Sequence, residues 1–156
     1  MARAFVGLGS NLGDREQTIA RALALLGEHP DVEVLRVSRL RETAPWGYAD
    51  QPAFLNGAAL LETALPPREL LVTLLAVEQQ LGRERDPAVR YGPRTIDLDL
   101  LLYEDAVLDE PGLTLPHPRL HEREFALEPL AELEPELVIP GHGSLAEVLS
   151  ALHSDA

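Results

Sequence analysis

The run Ile96-Asp97-Leu98-Asp99-Leu100-Leu101-Leu102-Tyr103 restricts what this chain can fold into more than any other stretch. Ile96, Leu98, Leu100 and Leu102 recur at every second position, the period of a strand with one buried face. The opposite face then carries Asp97 and Asp99, followed by Leu101 and Tyr103. On such a strand the two Asp Cα atoms stand roughly 6.6 Å apart on the same side. Carboxylates so placed can converge on one divalent ion, or share two ions roughly 3.5–4 Å apart. A solvated edge strand is the competing explanation for the pair.

The segment just upstream favours the metal. Gly82 to Ile96 holds four cations, Arg83, Arg85, Arg90 and Arg94, against Glu84 and Asp86, in a chain of net charge −13. A cationic loop leading into a carboxylate pair suits a metal-bound polyphosphate, with metal on the Asp side and phosphates on the Arg side. Read alone, the same arginines are an ordinary ion-paired surface loop.

Composition removes several chemistries. All 13 basic residues are Arg, so a P-loop lysine, a Schiff base and a lysine general base are excluded. There is no Cys, hence no disulfide framework and no thiol nucleophile or thiolate metal site. His29, His117, His121, His142 and His153 show no zinc-ligand spacing, and Ser10 has no adjacent His. No apolar run approaches the ~18 residues of a membrane span, and no leader is visible, so a soluble cytoplasmic protein is expected. The acidic balance argues against a nucleic-acid partner.

With 156 residues, 46% of them hydrophobic, residues 1–156 are expected to form a single domain. Ala4 to Leu8 reads as a first strand; Gly7, Gly9 and Gly13 miss the dinucleotide-binding spacing because position 12 is Leu. Asp14 with Gln17 makes a capping box for a helix through Ile19, Leu23 and Leu26. Val32 to Thr43 and Phe54 to Leu61 are β-rich. Between them, Ala44 to Pro52 is a Gly- and Pro-rich loop with the chain's one Trp, Trp46, as lid or pocket wall. Pro66-Pro67 opens a helix with Leu70, Leu71, Leu74 and Leu81 as its buried stripe and Gly82 as its stop; Glu78 lies near its end. After the Asp97 strand, Leu108 to Leu115 is expected to be its hairpin partner. A helix through Phe125, Leu127 and Leu130, a short strand Leu137 to Ile139, and a helix capped by Ser144 with Glu147 complete the chain. That order predicts an α+β two-layer sandwich, with helices on one face of an antiparallel sheet.

Four segments together carry a resemblance. Gly9-Ser10-Asn11-Leu12-Gly13, Asp50-Gln51-Pro52 with Phe54-Leu55-Asn56, Gly92-Pro93-Arg94-Thr95-Ile96-Asp97-Leu98-Asp99 and Pro116-His117-Pro118 are similar to the 6-hydroxymethyl-7,8-dihydropterin pyrophosphokinase family. The resemblance runs from the first strand to the last helix. It implies a ferredoxin-like fold and transfer of pyrophosphate from MgATP to a pterin hydroxymethyl group, releasing AMP, in folate biosynthesis. It further implies that Asp97 and Asp99 hold two Mg²⁺ ions. Arg83, Arg85, Arg94 and Arg123 would meet phosphate oxygens, and Arg90 would close over them. Glu78, Leu100, Thr114, His117 and Pro118 would line the nucleotide site. The pterin would stack between Phe54 and Phe125, with Thr43, Pro45 and Asn56 reading its hydrogen-bonding edge and Trp46 beside it. Such an enzyme needs only ATP and the pterin as partners and is expected to be a monomer. Pro118 departs from relatives that carry a Tyr there, and Phe54 offers a ring without a hydroxyl.

Two other readings compete. A non-catalytic binding domain accounts for the fold but not for the Asp pair beside its arginines. A two-metal phosphohydrolase accounts for both, and it would consume nucleotide without any acceptor.

Overall fold

A computed structural model of the chain describes residues 1–11, 14–43, 54–83 and 96–154. Its first part runs β1 (Ala2–Ser10), α1 (Arg15–Glu28), β2 (Val32–Val37), β3 (Arg41–Thr43), β4 (Phe54–Thr63), α2 (Pro67–Arg83) and β5 (Ile96–Tyr103). The strands make one antiparallel sheet in the order β2-β4-β1-β5, with β3 also paired to β4. This is the expected ferredoxin-like arrangement, in which α1 and α2 each link strands that are consecutive in sequence but not neighbours in the sheet.

Local chemistry sets the helix starts. Asp14 Oδ1 accepts from Gln17 N at 3.1 Å, which satisfies one of the orphan amides of the first turn of α1. Pro67 occupies the first turn of α2, where a missing N–H costs nothing, and Leu70 N donates to Pro66 O at 2.9 Å. Gly82 does not end this helix, which continues through it to Arg83. A glycine stops a helix by turning left-handed, and Gly82 stays helical.

Alternation along the strands divides the core in two. Ala4, Val6 and Leu8 of β1, Ala59 and Leu61 of β4, and Leu98 and Leu100 of β5 pack against Ile19, Ala22 and Leu26 of α1 and Leu70, Leu74, Val77 and Leu81 of α2. The opposite face supplies Phe5, Ala58 and Leu60 to a second cluster. There it meets Leu127, Leu130 and Leu133 of α3 (Glu124–Leu133) and Leu145 and Val148 of α4 (Leu145–Ser154). The sandwich therefore has helices on both faces: α1 and α2 on one, α3 and α4 on part of the other.

Two residues change sides. Leu102, expected beside Leu98 and Leu100, lies in the second cluster together with Leu101. The β1–β5 register slips between Phe5 and Val6, so that Val6 faces Leu100 and Phe5 faces Leu102. A bulge of one residue reverses every side chain beyond it. Tyr103 accordingly packs on the first cluster, and its hydroxyl donates to Leu65 O at 2.6 Å.

The stretch from Leu108 to Leu115, expected to pair with β5, pairs with itself instead. β6 (Leu108–Glu110) and β7 (Leu113–Leu115) are antiparallel neighbours joined by Pro111-Gly112, with Gly112 at φ +77°. Pro followed by a left-handed Gly is a turn that closes a hairpin locally. A 3-10 turn (Leu120–Glu122) leads into α3, and the short strands β8 (Val138–Ile139) and β9 (Gly143–Ser144) lead into α4, where Ser144 Oγ accepts from Glu147 N at 3.1 Å. Among the described residues no helix is long and apolar enough to cross a membrane.

The break between β2 and β3 is built around Gly57. Ser38 Oγ accepts from Ala58 N at 2.9 Å, and a Cβ at Gly57 would stand 2.7 Å from Leu40 Cδ2 and 3.0 Å from Ser38 Oγ. Gly57→Ala is therefore expected to cost about 1–3 kcal/mol through overpacking. Urea unfolding measures it, and a loss below about 0.5 kcal/mol would show that the break has slack.

Candidate active site

Part of the second sheet face holds the candidate residues in rows. Arg41, Asn56, Gly9 and Asp97 stand opposite one another across β3, β4, β1 and β5. Two residues further along, Ala58, Gly7 and Asp99 form the next row. With strands about 4.8 Å apart, Asn56 and Asp97 are separated by about 10 Å, and only a glycine lies between them. A Cβ at Gly9 would come 3.0 Å from Asn56 Oδ1, 3.9 Å from Phe54 Cδ1 and 4.0 Å from Asp97 Cβ. The missing side chain thus leaves a shallow floor shared by a carboxylate, an amide and an aromatic ring. Gly7 and Gly9, assigned no role from sequence, are part of the site. Glycine at alternate positions of one strand is the signal for close approach to its face.

Each end of the floor has its own chemistry. Asn56 is buried, and its Nδ2 donates in a short hydrogen bond to Thr43 Oγ1, which leaves Oδ1 towards Gly9 as an acceptor. Phe54 is partly buried and Phe125 is 37% exposed, so neither ring is spent on the core. The Arg123 guanidinium lies 5.7 Å from the Phe125 centroid, a cation–π contact on one face of that ring.

At the other end, carboxylates crowd together. Asp97 and Asp99 are partly buried, and Glu78 Oε2 accepts from Leu98 N, between them in sequence, at 2.6 Å. Burial pushes the Glu78 carboxyl up, the hydrogen bond from Leu98 draws it back, and the charges of Asp97 and Asp99 raise it further. Glu78, expected only to line a nucleotide site, thus also grips the backbone of the strand that carries the Asp pair. Two acidic side chains on an open face with glycines opposite make a hard-oxygen donor set that fits Mg²⁺.

His117 connects this end to the arginines. Its N donates to Leu101 O at 2.9 Å, and its Nδ1 accepts from Arg119 N at 3.2 Å, which leaves Nε2–H as the donor of the neutral ring. The ring is half-buried rather than exposed as its place between two prolines suggests. Burial lowers its pKa; Asp99 raises it, and Arg123 and Arg119 lower it. Asp99, Arg119 and Arg123 are therefore each within electrostatic reach of His117, and Arg119 had no functional role in the sequence reading.

A depressed histidine favours the neutral folded state. Its contribution is complete above pH 6.5, the ordinary value, and is lost as pH falls through the folded-state value. The stability difference between wild type and His117→Asn is expected to shrink from pH 7.5 to pH 5.5 in urea unfolding. A difference that grows on acidification would reverse the assignment.

The remaining positions divide. Leu100 is 5% exposed within the first cluster, so it can offer a nucleotide only its main chain. Thr114 is partly buried on β7, with Oγ1 3.4 Å from Asp109 Oδ1, and Pro118 is exposed. Arg83 ends α2. Arg85, Arg90, Arg94, Pro45 and Trp46 lie outside the described residues.

Comparison with known proteins shows the family. A family model for 7,8-dihydro-6-hydroxymethylpterin-pyrophosphokinase matches residues 5–135. The chain is 49% identical over 130 residues to the 2-amino-4-hydroxy-6-hydroxymethyldihydropteridine pyrophosphokinase of Bacillus subtilis, covering 83% of this chain and 77% of that one. It is 45% identical over 152 residues to the protein of the same name from Methylorubrum extorquens, covering 97% and 94%. It is also 46% identical over 152 residues to folic acid synthesis protein fol1 of Schizosaccharomyces pombe, where it spans 97% of itself and 20% of that protein. A crystal structure of HPPK-DHPS in complex with substrates has a similar fold, with a TM-score of 0.75 at 12% identity over 99% of this chain and 44% of that one.

Proposed function

The chain belongs to the 7,8-dihydro-6-hydroxymethylpterin-pyrophosphokinase family, which makes it an ATP-dependent pyrophosphoryl transferase acting on hydroxymethyldihydropterin in folate biosynthesis, and we propose a division of labour among its residues. Asn56 Oδ1 accepts from the pterin's amide and amino donors, Thr43 holds the Asn56 amide in place, and Phe54 and Phe125 cover the ring faces. Asp97 and Asp99 hold two Mg²⁺ ions. Bound there, Mg²⁺ neutralises the triphosphate and polarises its bridging oxygens. Arg123 and His117 Nε2–H donate to phosphate oxygens, with Arg83, Arg85, Arg90 and Arg94 as further donors and Glu78, the Leu100 main chain, Thr114 and Pro118 beside the nucleotide. Pro45 and Trp46 complete the pterin side.

The observation that carries this reading is the meeting of Asn56, Phe54 and Asp97 around the bare Cα of Gly9. A planar ring held against Asn56 and Phe54 extends a short substituent towards the carboxylates, where the nucleotide's β-phosphorus would lie. The hydroxymethyl oxygen attacks that phosphorus in line, the bond to the AMP oxygen breaks, the hydroxyl proton passes to water, and the pyrophosphoryl group moves as a unit. Positioning and charge neutralisation supply the rate, and no side chain need act as general base. The same reading has a monomer working in the cytoplasm, because two small-molecule substrates call for neither a second chain nor a membrane.

A reaction of ATP, Mg²⁺ and 6-hydroxymethyl-7,8-dihydropterin is expected to yield AMP one-to-one with the pterin diphosphate, resolved by chromatography. ADP as the main product, or AMP formed equally well without the pterin, would overturn the reading. The second result would favour a phosphohydrolase.

A further inference from the structure

A row of ion pairs outside the site ties the sheet to α3. Arg36 Nη1 donates to Leu133 O at 3.0 Å, at the C-terminal end of that helix. Arg39 donates from its backbone N to Glu132 Oε2 at 2.6 Å and from Nε to Glu132 Oε1 at 3.1 Å. Arg41 donates from Nη1 to Glu128 Oε2 at 2.9 Å, and its Nη2 stands 3.7 Å from Glu132 Oε1. The Arg41, Glu128 and Glu132 side chains keep only 35%, 39% and 29% of their surface, whereas Arg39 keeps 77%.

Arg41 occupies a special place in that row. It is the cross-strand partner of Asn56, on the face shared with Gly9 and Asp97. Glu128 lies three residues after Phe125, on the neighbouring turn of α3. One guanidinium therefore spans from the strand edge beside Asn56 and Phe54 to the helix that carries Phe125. We propose that Arg41, through Glu128 and with Glu132 and Arg39 behind it, is a positioning residue that sets the gap between the Phe54 and Phe125 rings and so determines how tightly the pterin is held.

This rests on the reading that those two rings enclose the pterin. The physical case is that a stacking slot works only at one width, near the thickness of a planar ring, and the Arg41–Glu128 pair ties β3 directly to α3. A lone exposed ion pair contributes little, whereas two arginines sharing Glu132, with Glu128 beside it, lose less side-chain freedom per contact. The guanidinium fork also fixes direction as well as distance, which an ammonium does not.

Steady-state kinetics on the full chain, varying the pterin at saturating MgATP and then the reverse, tests it. Arg41→Ala and Glu128→Ala are each expected to raise KM for the pterin about fivefold while kcat and KM for ATP stay within twofold. The double variant should be no worse than either single variant, because both remove the same contact. Arg41→Lys, which keeps the charge and the packing, should fall between wild type and Arg41→Ala, and it carries the test if Arg41→Ala does not fold. Phe125→Ala is measured alongside and is expected to raise the pterin KM at least tenfold. If Phe125→Ala raises it and neither Arg41 variant does, the positioning role is wrong and the stacking reading stands. If Phe125→Ala leaves it unchanged, the stacking reading fails and the positioning role fails with it. An equal rise in both substrates' KM would also overturn the inference, because it would mark general loosening of α3.

Discussion

Alanine at Asp97 or at Asp99 is expected to lower kcat by about 10³-fold or more while leaving the fold intact. Both carboxylates sit on the open face of β5, and the packing of that strand comes from Ile96, Leu98 and Leu100 on the other face. Their removal also relieves the charge that pushes the Glu78 carboxyl up, so the metal-free variants should melt no lower than wild type. Circular dichroism, thermal melting and the rate of AMP formation at several Mg²⁺ concentrations check all parts of this. Near-normal turnover in both variants would remove the metal assignment. A collapse of the circular dichroism signal would move these residues from chemistry to structure.

The second large effect is on stability. Leu127 is fully buried in the cluster formed by α3, α4 and the second sheet face. Leu127→Ala is expected to cost about 2–5 kcal/mol, since the cavity adds to the lost transfer energy of the side chain. In a domain of this size that lowers Tm by roughly 5–15 °C. A loss below about 1 kcal/mol in urea unfolding would mean that α3 rests on the sheet as a loose cover. The comparison with Arg41→Ala is informative, because the ion pair should move substrate affinity far more than stability and Leu127 should do the reverse.

Much of the fold was legible because it depends on local periodicity. The strands β1 and β4, the alternation of β5 as far as Leu100, the Asp14 cap and the Pro67 start are short-range patterns that formed where they were read, as did the Leu70, Leu71, Leu74 and Leu81 stripe, in which Leu71 is only partly buried. The errors have a common source in pairings that sequence spacing does not encode. Leu102 went to the other face because a bulge against Phe5 shifts the phase of β5. Leu108 to Leu115 turned on itself because Pro111-Gly112 makes a turn stronger than any signal for docking on a distant strand.

The site follows the same rule. Asp97 and Asp99 were visible as a same-face pair, and Phe54 and Asn56 through the family motif. That both sets meet at Gly9 is a matter of register between three strands. Arg41 and Glu128 are 87 residues apart, and no short-range pattern joins them. Glu78 was expected to line the nucleotide site, and its bond to Leu98 N, which spacing does not encode, also ties it to the strand.

That bond has a consequence for how molecules of this protein meet one another. β5 is the outermost strand of the sheet, and its Leu98 amide faces away from β1, as the unpaired donors of an edge strand do. Such a row is a template for a strand from a second molecule, and an apolar one such as Leu98 to Leu102 invites stacking of sheets into aggregates. A carboxylate already holds the donor at the middle of that edge, and an incoming strand would have to expel it and bring its own carbonyl up against Asp97 and Asp99. The acids that prepare the face for a cation also make the edge beside it repellent to another copy of the same strand.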